Sequence, residues 1–97
     1  MINHTVLFKI KPEASEAQVK QMIDNLLALK NEITEIEAIH IGENFSDRSQ
    51  GHDLMLYTLF KDKDALGKYA VHPAHVAVLE QDIKPILAGI TVGDIEF

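Results

Sequence analysis

The side chains best suited to acid–base chemistry lie in one short segment, where Tyr69, His72 and His75 follow one another at three-residue intervals. An imidazole can take up a proton near neutral pH, and a phenol can donate a hydrogen bond to a carbonyl oxygen. Pro73 favours the first position of a helix, which places His75 in a first turn whose unpaired N–H groups keep its ring neutral. His75 is therefore a candidate general base and Tyr69 its candidate partner. The same pattern also fits a purely structural role for His75, in which its side chain bridges helix and strand. His72 either caps the helix or faces solvent.

Two further candidates lie outside this segment. His4 and Phe8 fall on one side of an alternating apolar strand over residues 2–10. If that side meets the helices, the His4 ring lies among apolar groups and needs a hydrogen-bond partner. His75 or Tyr69 could supply it. His4 is then either a polar group lining a pocket or a core histidine whose ring is hydrogen-bonded. Asn44, in a loop rich in Gly, Asn, Ser and Asp, either fixes that loop by local hydrogen bonds or gates the pocket.

The apolar periodicity predicts an α+β framework in the order βαββαβ, made of two split βαβ units. The predicted strands cover residues 2–10, 36–43, 53–60 and 89–97. Helical periodicity starts at Ser15, which has a capping-box partner in Gln18, then at Asp62 and again at Pro73. Two helical stripes are expected to face the sheet: Val19, Met22, Ile23, Leu26, Leu27, Leu29 and Ile33, and then Val76, Leu79, Ile83 and Ile86.

The composition argues against several classes of protein. The 97 residues suffice for one domain, and the net charge of −6 opposes binding to nucleic acid. No apolar run approaches the roughly 20 residues that span a bilayer, and the absence of cysteine fits a reducing compartment, so we expect a cytoplasmic location. We expect no cofactor, because no nucleotide-binding or nucleophile-elbow fingerprint is present. We expect no metal site, because His72 and His75 lack a third ligand nearby.

The third predicted strand is apolar on both sides. One side carries Leu54, Leu56 and Phe60, and the other carries Met55, Tyr57 and Leu59. Right-handed crossovers place both helices on one face of the sheet, so they can cover only one of these sides. Burying each large side chain stabilises a protein by roughly 1.5–3 kcal/mol. We therefore expect a second copy to cover the other side, in a homodimer through the sheet face; a moderately apolar exposed face is the alternative.

Several motifs resemble those of the stress-responsive dimeric α/β-barrel (Dabb) family. They are His4-x-Val6-Leu7-Phe8-Lys9-x-Lys11, Gly42-x-Asn44-x-Ser46 leading to Gly51, Tyr69-x-x-His72-Pro73-x-His75, and Asp94-x-Glu96. The resemblance runs over nearly the whole chain and implies one such domain over residues 1–97. It implies a ferredoxin-like protomer with an antiparallel four-stranded sheet and helices on one face. Two such sheets would pack face to face as a dimeric α/β barrel.

The resemblance leaves two functions open. Most members of the family have no assigned reaction, which favours a protein that binds a small apolar or aromatic ligand between sheet and helices. The residues expected to contact that ligand are His4, Phe8, Asn44, Leu54 and His72. The alternative is a cofactor-independent cyclase or isomerase for a carbonyl, polyketide-like substrate. A plant member is a cyclase in which the corresponding roles fall on His75 as base and Tyr69 as its assistant, but its third-strand pocket histidine is replaced here by Leu54.

Overall fold

The computed structural model describes residues 1–97 and has the predicted order of elements. The strands are β1 (Ile2–Ile10), β2 (Ile36–Glu43), β3 (Leu54–Phe60) and β4 (Leu87–Glu96). The helices are α1 (Glu16–Glu32), α2 (Lys63–Val71) and α3 (Pro73–Val78), and α3 continues into a π-helical turn (Leu79–Ile83) and a 3₁₀ turn (Lys84–Ile86). The second crossover is thus a broken helical segment. No helix combines the length and apolar character needed to cross a membrane.

The four strands form one antiparallel sheet in the order β2-β3-β1-β4. β1 is therefore central, and β2 and β4 are the edges. The register sets His4 opposite Thr58 on one side and opposite Asp94 on the other. At the far end of β1 the ladder with β4 is irregular between Lys9 and Ile10. The confirmed fold is the ferredoxin-like α+β arrangement with its helices on one face.

The helix-covered face of the sheet holds a core of 17 buried apolar residues. α1 begins at Ser15, whose hydroxyl and backbone form the predicted capping box with Gln18, and this start turns Leu26 and Leu29 inward. The prediction is wrong for Leu27, which is 39% exposed. One residue step rotates a side chain by about 100° around the helix axis, so Leu27 cannot share the inward face of Leu26.

The predicted stripe of the second helical region is wrong at its first position. Val76 is 41% exposed, whereas Val78 is buried. The side chains that line the interior are His75, Leu79 and Ile83, which are four residues apart and so lie on one helical face. The apolar pattern alone favoured Val76, because it gave a polar histidine no inward position.

The side of the sheet without helices, which we call the far face, carries apolar side chains among polar ones such as Asn3 and Thr5. By the register of the strands, its apolar side chains are Leu7, Met55, Tyr57, Leu59 and Ile95. Phe97 follows just after β4, two residues beyond Ile95. Met55, Ile95 and Phe97 are 41%, 62% and 69% exposed. The two-sided apolar pattern predicted for β3 therefore leaves uncovered apolar area on the protomer.

Candidate functional site

A cavity of about 160 Å³, which we call the sheet–helix cavity, lies between β1, β3 and β4 and the helices. Nine of its 11 lining residues are hydrophobic, Tyr69 among them, and the other two are His4 and His75. The remaining hydrophobic residues are Val6, Phe8, Leu26, Leu56, Leu79, Ile83, Ile90 and Val92. Ile90 and Val92 are 48% and 50% exposed. The cavity therefore opens at the β4 edge of the sheet, where the helices no longer cover it.

Tyr69 lies in the last turn of α2 and is only 1% exposed. α2 starts at Asp62, whose carboxylate accepts the Ala65 N–H at 2.8 Å, and this cap fixes the short helix with Tyr69 facing the sheet. The Tyr69 ring lies 4.9 Å from that of Phe60, centroid to centroid. Burial raises the pKa of Tyr69 to about 12. Its hydroxyl therefore stays protonated at neutral pH and can donate a hydrogen bond.

His75 stacks against Tyr69, with the ring centroids 4.2 Å apart. Its Nδ1 lies 3.1 Å from the Ala70 carbonyl oxygen, so Nδ1 carries the proton and donates it to that bond. In the neutral ring the lone pair is then on Nε2. Burial is the main cause of the lowered pKa of His75, with smaller contributions from the nearby His4 and His72. Neutrality was predicted from the helix N-terminus, whereas desolvation is the main physical cause.

His4 lies inside the cavity with its side chain 16% exposed. Its ring meets those of Phe60 and Tyr69 edge-on, at centroid distances of 6.5 and 6.1 Å. Its partner is Asp94, at 2.5 Å from Nδ1 to Oδ1. The expectation that His75 or Tyr69 supplies this partner is therefore wrong. Because Asp94 lies directly opposite His4 in the ladder, the carboxylate holds the ring through Nδ1.

His72 has a different position from the other two histidines of this region. It ends α2 and caps α3, and its Nδ1 accepts the Ala74 N–H at 3.1 Å. It does not line the sheet–helix cavity. The spacing His72-Pro73-x-His75 thus combines a cap, a helix-starting proline and an inward imidazole. His72 acts on the cavity only through the start of α3.

Asn44 and Leu54 lie at a second concavity, which we call the loop hollow. It is larger, about 470 Å³, and only three of its 10 lining residues are hydrophobic. The Asn44 side chain donates to the His52 carbonyl oxygen and accepts the Ser46 N–H, at 3.1 and 3.3 Å. Leu54 is 6% exposed beneath the loop. The expected grouping of Asn44 and Leu54 with His4 and Phe8 is therefore wrong.

Of the apolar wall of the cavity, only Phe8 and Tyr69 were predicted as site residues. Leu26, Leu79 and Ile83 were predicted only to face the sheet. Leu56 lines it where Leu54 was expected, because Leu56 pairs with Val6 at the centre of β1, whereas Leu54 pairs with Phe8 towards the loop. Leu79 and Ile83 come from the π-helical turn. The contribution of β4 to the wall did have a sequence signal. Ile90, Val92 and Asp94 alternate along the strand and therefore fall on the same side of it.

Comparisons with known proteins identify the family and the fold of the chain. The profile of the stress responsive A/B barrel domain family matches residues 2–97. The chain is 32% identical over 96 residues to a stress-response A/B barrel domain-containing protein of Arabidopsis thaliana, covering 97% of this chain but only 36% of that protein. It is 25% identical over 77 residues to olivetolic acid cyclase of Cannabis sativa, covering 77% of this chain and 76% of the cyclase.

A solved structure gives the same result for the fold. A dimeric ferredoxin-like protein of unknown function from Thermobifida fusca superposes with a TM-score of 0.86 at 26% identity, covering 99% of this chain and 90% of that one. The family profile, the Arabidopsis relative and the solved structure each cover nearly the whole chain. The chain belongs to the stress responsive A/B barrel domain family.

Proposed function

We propose that this protein binds a small apolar or aromatic molecule in the sheet–helix cavity. The observation that carries the proposal is an apolar enclosure into which one phenol and two imidazoles converge. Ligand sites are typically apolar, with a few placed polar groups. A dry cavity of about 150 Å³ lined by Leu, Ile and Phe is large enough for benzene, and the present cavity is of about 160 Å³. The fitting ligand is thus about one ring in size.

The polar groups of the cavity further restrict the chemistry of the ligand. The Tyr69 hydroxyl is a donor, because burial raises its pKa to about 12. His75 offers an acceptor at Nε2, because its Nδ1–H is bonded to the Ala70 carbonyl. A ring bearing one hydroxyl can accept from Tyr69 and donate to His75 while filling the apolar space, whereas a carbonyl oxygen can pair with Tyr69 alone. Phenol is therefore the simplest probe.

Calorimetric titration with phenol tests this proposal in three proteins. Val92→Phe fills the half-exposed mouth of the cavity and is expected to abolish binding. Val19→Phe adds the same ring at the loop hollow and is expected to leave binding unchanged. Circular dichroism checks that each variant is folded. No heat of binding in the wild type, or equal loss in both variants, would contradict the proposal.

The same proposal includes a homodimer that buries the far face, in a protein located in the cytoplasm. Support comes from the exposed apolar side chains of that face and from the dimeric Thermobifida fusca relative. Light scattering is expected to give twice the 10.9 kDa chain mass. Met55→Lys on the far face should give a monomer, whereas Leu27→Lys on α1 should not, although the two residues are similarly exposed at 41% and 39%. A monomeric wild type would contradict this arrangement.

A second candidate function is a cofactor-independent cyclase or isomerase acting on a carbonyl compound. The observation that favours it is the free Nε2 of His75 beside the donor Tyr69, with the ring centroids 4.2 Å apart. His75 would remove a proton from the carbon next to the carbonyl, and the electron pair would move to the carbonyl oxygen, where Tyr69 donates a hydrogen bond. The resulting enolate is reprotonated by His75 in an isomerase. In a cyclase the enolate carbon attacks a second carbonyl carbon of the same molecule, the π electrons of that carbonyl move to its oxygen, and this oxygen takes the proton back from His75.

Deuterium exchange into acetophenone in D₂O tests this second function. A positioned base typically contributes about 10²–10⁴-fold to proton transfer, so the wild type should exchange the methyl protons faster than His75→Ala by that order. His52→Ala at the loop hollow is the matched control and should keep the wild-type rate. If phenol binds but acetophenone exchanges equally in all three proteins, the binding function stands alone.

A further inference from the structure

Asp82 is the one carboxylate among the buried side chains, at 8% exposure. It lies in the π-helical turn Leu79–Ile83, outside the set of residues used so far. π-helical turns are rare and occur frequently at functional sites. Burial of a carboxylate is unfavourable unless hydrogen bonds compensate it, so the position of Asp82 calls for a physical explanation.

Both oxygens of Asp82 are bonded to α1. Oδ1 accepts from Gln21 Nε2 at 3.0 Å, and Oδ2 accepts from Asn25 Nδ2 at 2.9 Å. Gln21 and Asn25 are one helical turn apart, so the carboxylate bonds two residues on the same face of α1. We call these three residues the Asp82 clamp. The clamp ties the π-helical turn to α1 at a fixed distance.

The clamp joins two walls of the sheet–helix cavity. Ile83 follows Asp82 and Leu26 follows Asn25 in the chain, and both line the cavity together with Leu79. We propose that the Asp82 clamp sets the width of the cavity and thereby the largest ligand it accepts. This inference rests on the proposed binding function and makes Asp82 a positioning residue, since it lies behind the lining.

Substitutions can separate this role from simple stabilisation. Leu in place of Asp82 keeps the branch at Cγ but has no hydrogen-bonding atoms. Gln21 is exposed and Asn25 is partly exposed, so water can bond their amides and no buried donor is left unpaired. Asp82→Leu would therefore keep the fold while freeing the π-helical turn from α1. Asp82→Asn can retain both bonds, because its amide accepts from one partner and donates to the other once that partner's amide flips. Gln81→Leu, at the exposed neighbouring position, is the matched control.

The experiment measures affinities for phenol, 4-ethylphenol and 4-butylphenol by calorimetry in the wild type and the three variants. One methylene too many in an apolar pocket typically costs about tenfold or more, so the wild type should bind 4-butylphenol at least about tenfold more weakly than its best ligand. Asp82→Leu should reduce that ratio to about threefold or less. Asp82→Asn and Gln81→Leu should keep the wild-type ratio.

The possible outcomes separate the two claims. If the wild type binds none of the phenols, the proposed binding function fails. If the wild type discriminates by size and Asp82→Leu, shown to be folded by circular dichroism, discriminates equally, the clamp proposal fails while binding stands. A uniform loss of affinity for all three phenols in Asp82→Leu would also overturn the clamp, because it indicates a stability role without a size limit.

Discussion

The two concavities of this protein differ in more than size. The loop hollow is about three times larger, at about 470 against 160 Å³, yet the smaller sheet–helix cavity is the one lined mostly by hydrophobic residues. In the hollow, both ring nitrogens of His52 are engaged, with the Ser49 carbonyl at 2.9 Å and the Thr91 hydroxyl at 3.0 Å. In the cavity, His75 has one engaged nitrogen and one free.

Available volume alone therefore does not identify a ligand-binding site. A polar group can act on a ligand only if the fold leaves part of its hydrogen-bonding capacity unused and removes water from around it. His52 fails the first condition, because both ring nitrogens are used to hold the loop to β4. His75 satisfies both.

The largest expected difference between the two regions is in stability. Leu26→Ala in the cavity wall, at 1% exposure, should lower the free energy of unfolding by about 2–5 kcal/mol. Val19→Ala at the loop hollow should lower it by less than about 1 kcal/mol, since a partly buried side chain loses less apolar contact. Urea unfolding at one protein concentration measures both. Equal losses would mean that the hollow is packed as tightly as the cavity.

The next difference concerns binding. His75→Ala removes one hydrogen-bond acceptor from the cavity and should weaken phenol binding by about 1 kcal/mol, roughly fivefold. His52→Ala should leave the dissociation constant unchanged. Calorimetric titration of both variants with phenol measures these dissociation constants. A weaker affinity in His52→Ala would indicate that phenol binds in the loop hollow.

A third prediction concerns the cap at His72. His72→Ala removes the acceptor of the Ala74 N–H and should cost about 1 kcal/mol of stability. Phenol affinity should fall with it, because α3 carries His75. His72→Asn, a good cap, should restore both quantities. If Asn restores stability without affinity, then His72 contacts the ligand itself.

The smallest expected effect is on pH dependence. The folded-state pKa of His75 lies below its usual 6.5, so at pH values just below 6.5 the unfolded chain binds a proton that the folded one does not. The contribution of neutral His75 to stability is therefore complete above pH 6.5 and declines as the pH falls through the lowered value. Denaturant midpoints of the wild type should fall more steeply with acid than those of His75→Gln. Parallel curves would show that His75 is not desolvated.

The framework was predictable because its signals are local. Ser15 with Gln18 and Asp62 mark helix starts through bonds made within a few residues. The proline after His72 marks a third start because the first helical position needs no N–H. The strands follow from alternation over short stretches. Predictions for Leu27 and Val76 were wrong because hydrophobicity alone cannot say where the edge of a buried stripe lies.

The site was predictable only where a motif carries it. Tyr69 and His75 are near in sequence, and their stacking follows from two consecutive short helices. The pairing of His4 with Asp94 depends on the register between the first and last strands, which joins residues 90 positions apart. Helical spacing predicted the inward position of Ile83, but the π-helical turn itself has no recognised sequence signal, so Asp82 as clamp could not be foreseen.

The most direct test of the binding site is an NMR titration of the isotopically labelled protein with phenol. We predict that the side-chain signals of Tyr69, His75 and Ile83 shift together and saturate, while those of His52 and Asn44 stay in place. Saturable shifts confined to His52 and Asn44, or no saturable shifts at all, would contradict the assignment of the sheet–helix cavity as the ligand site.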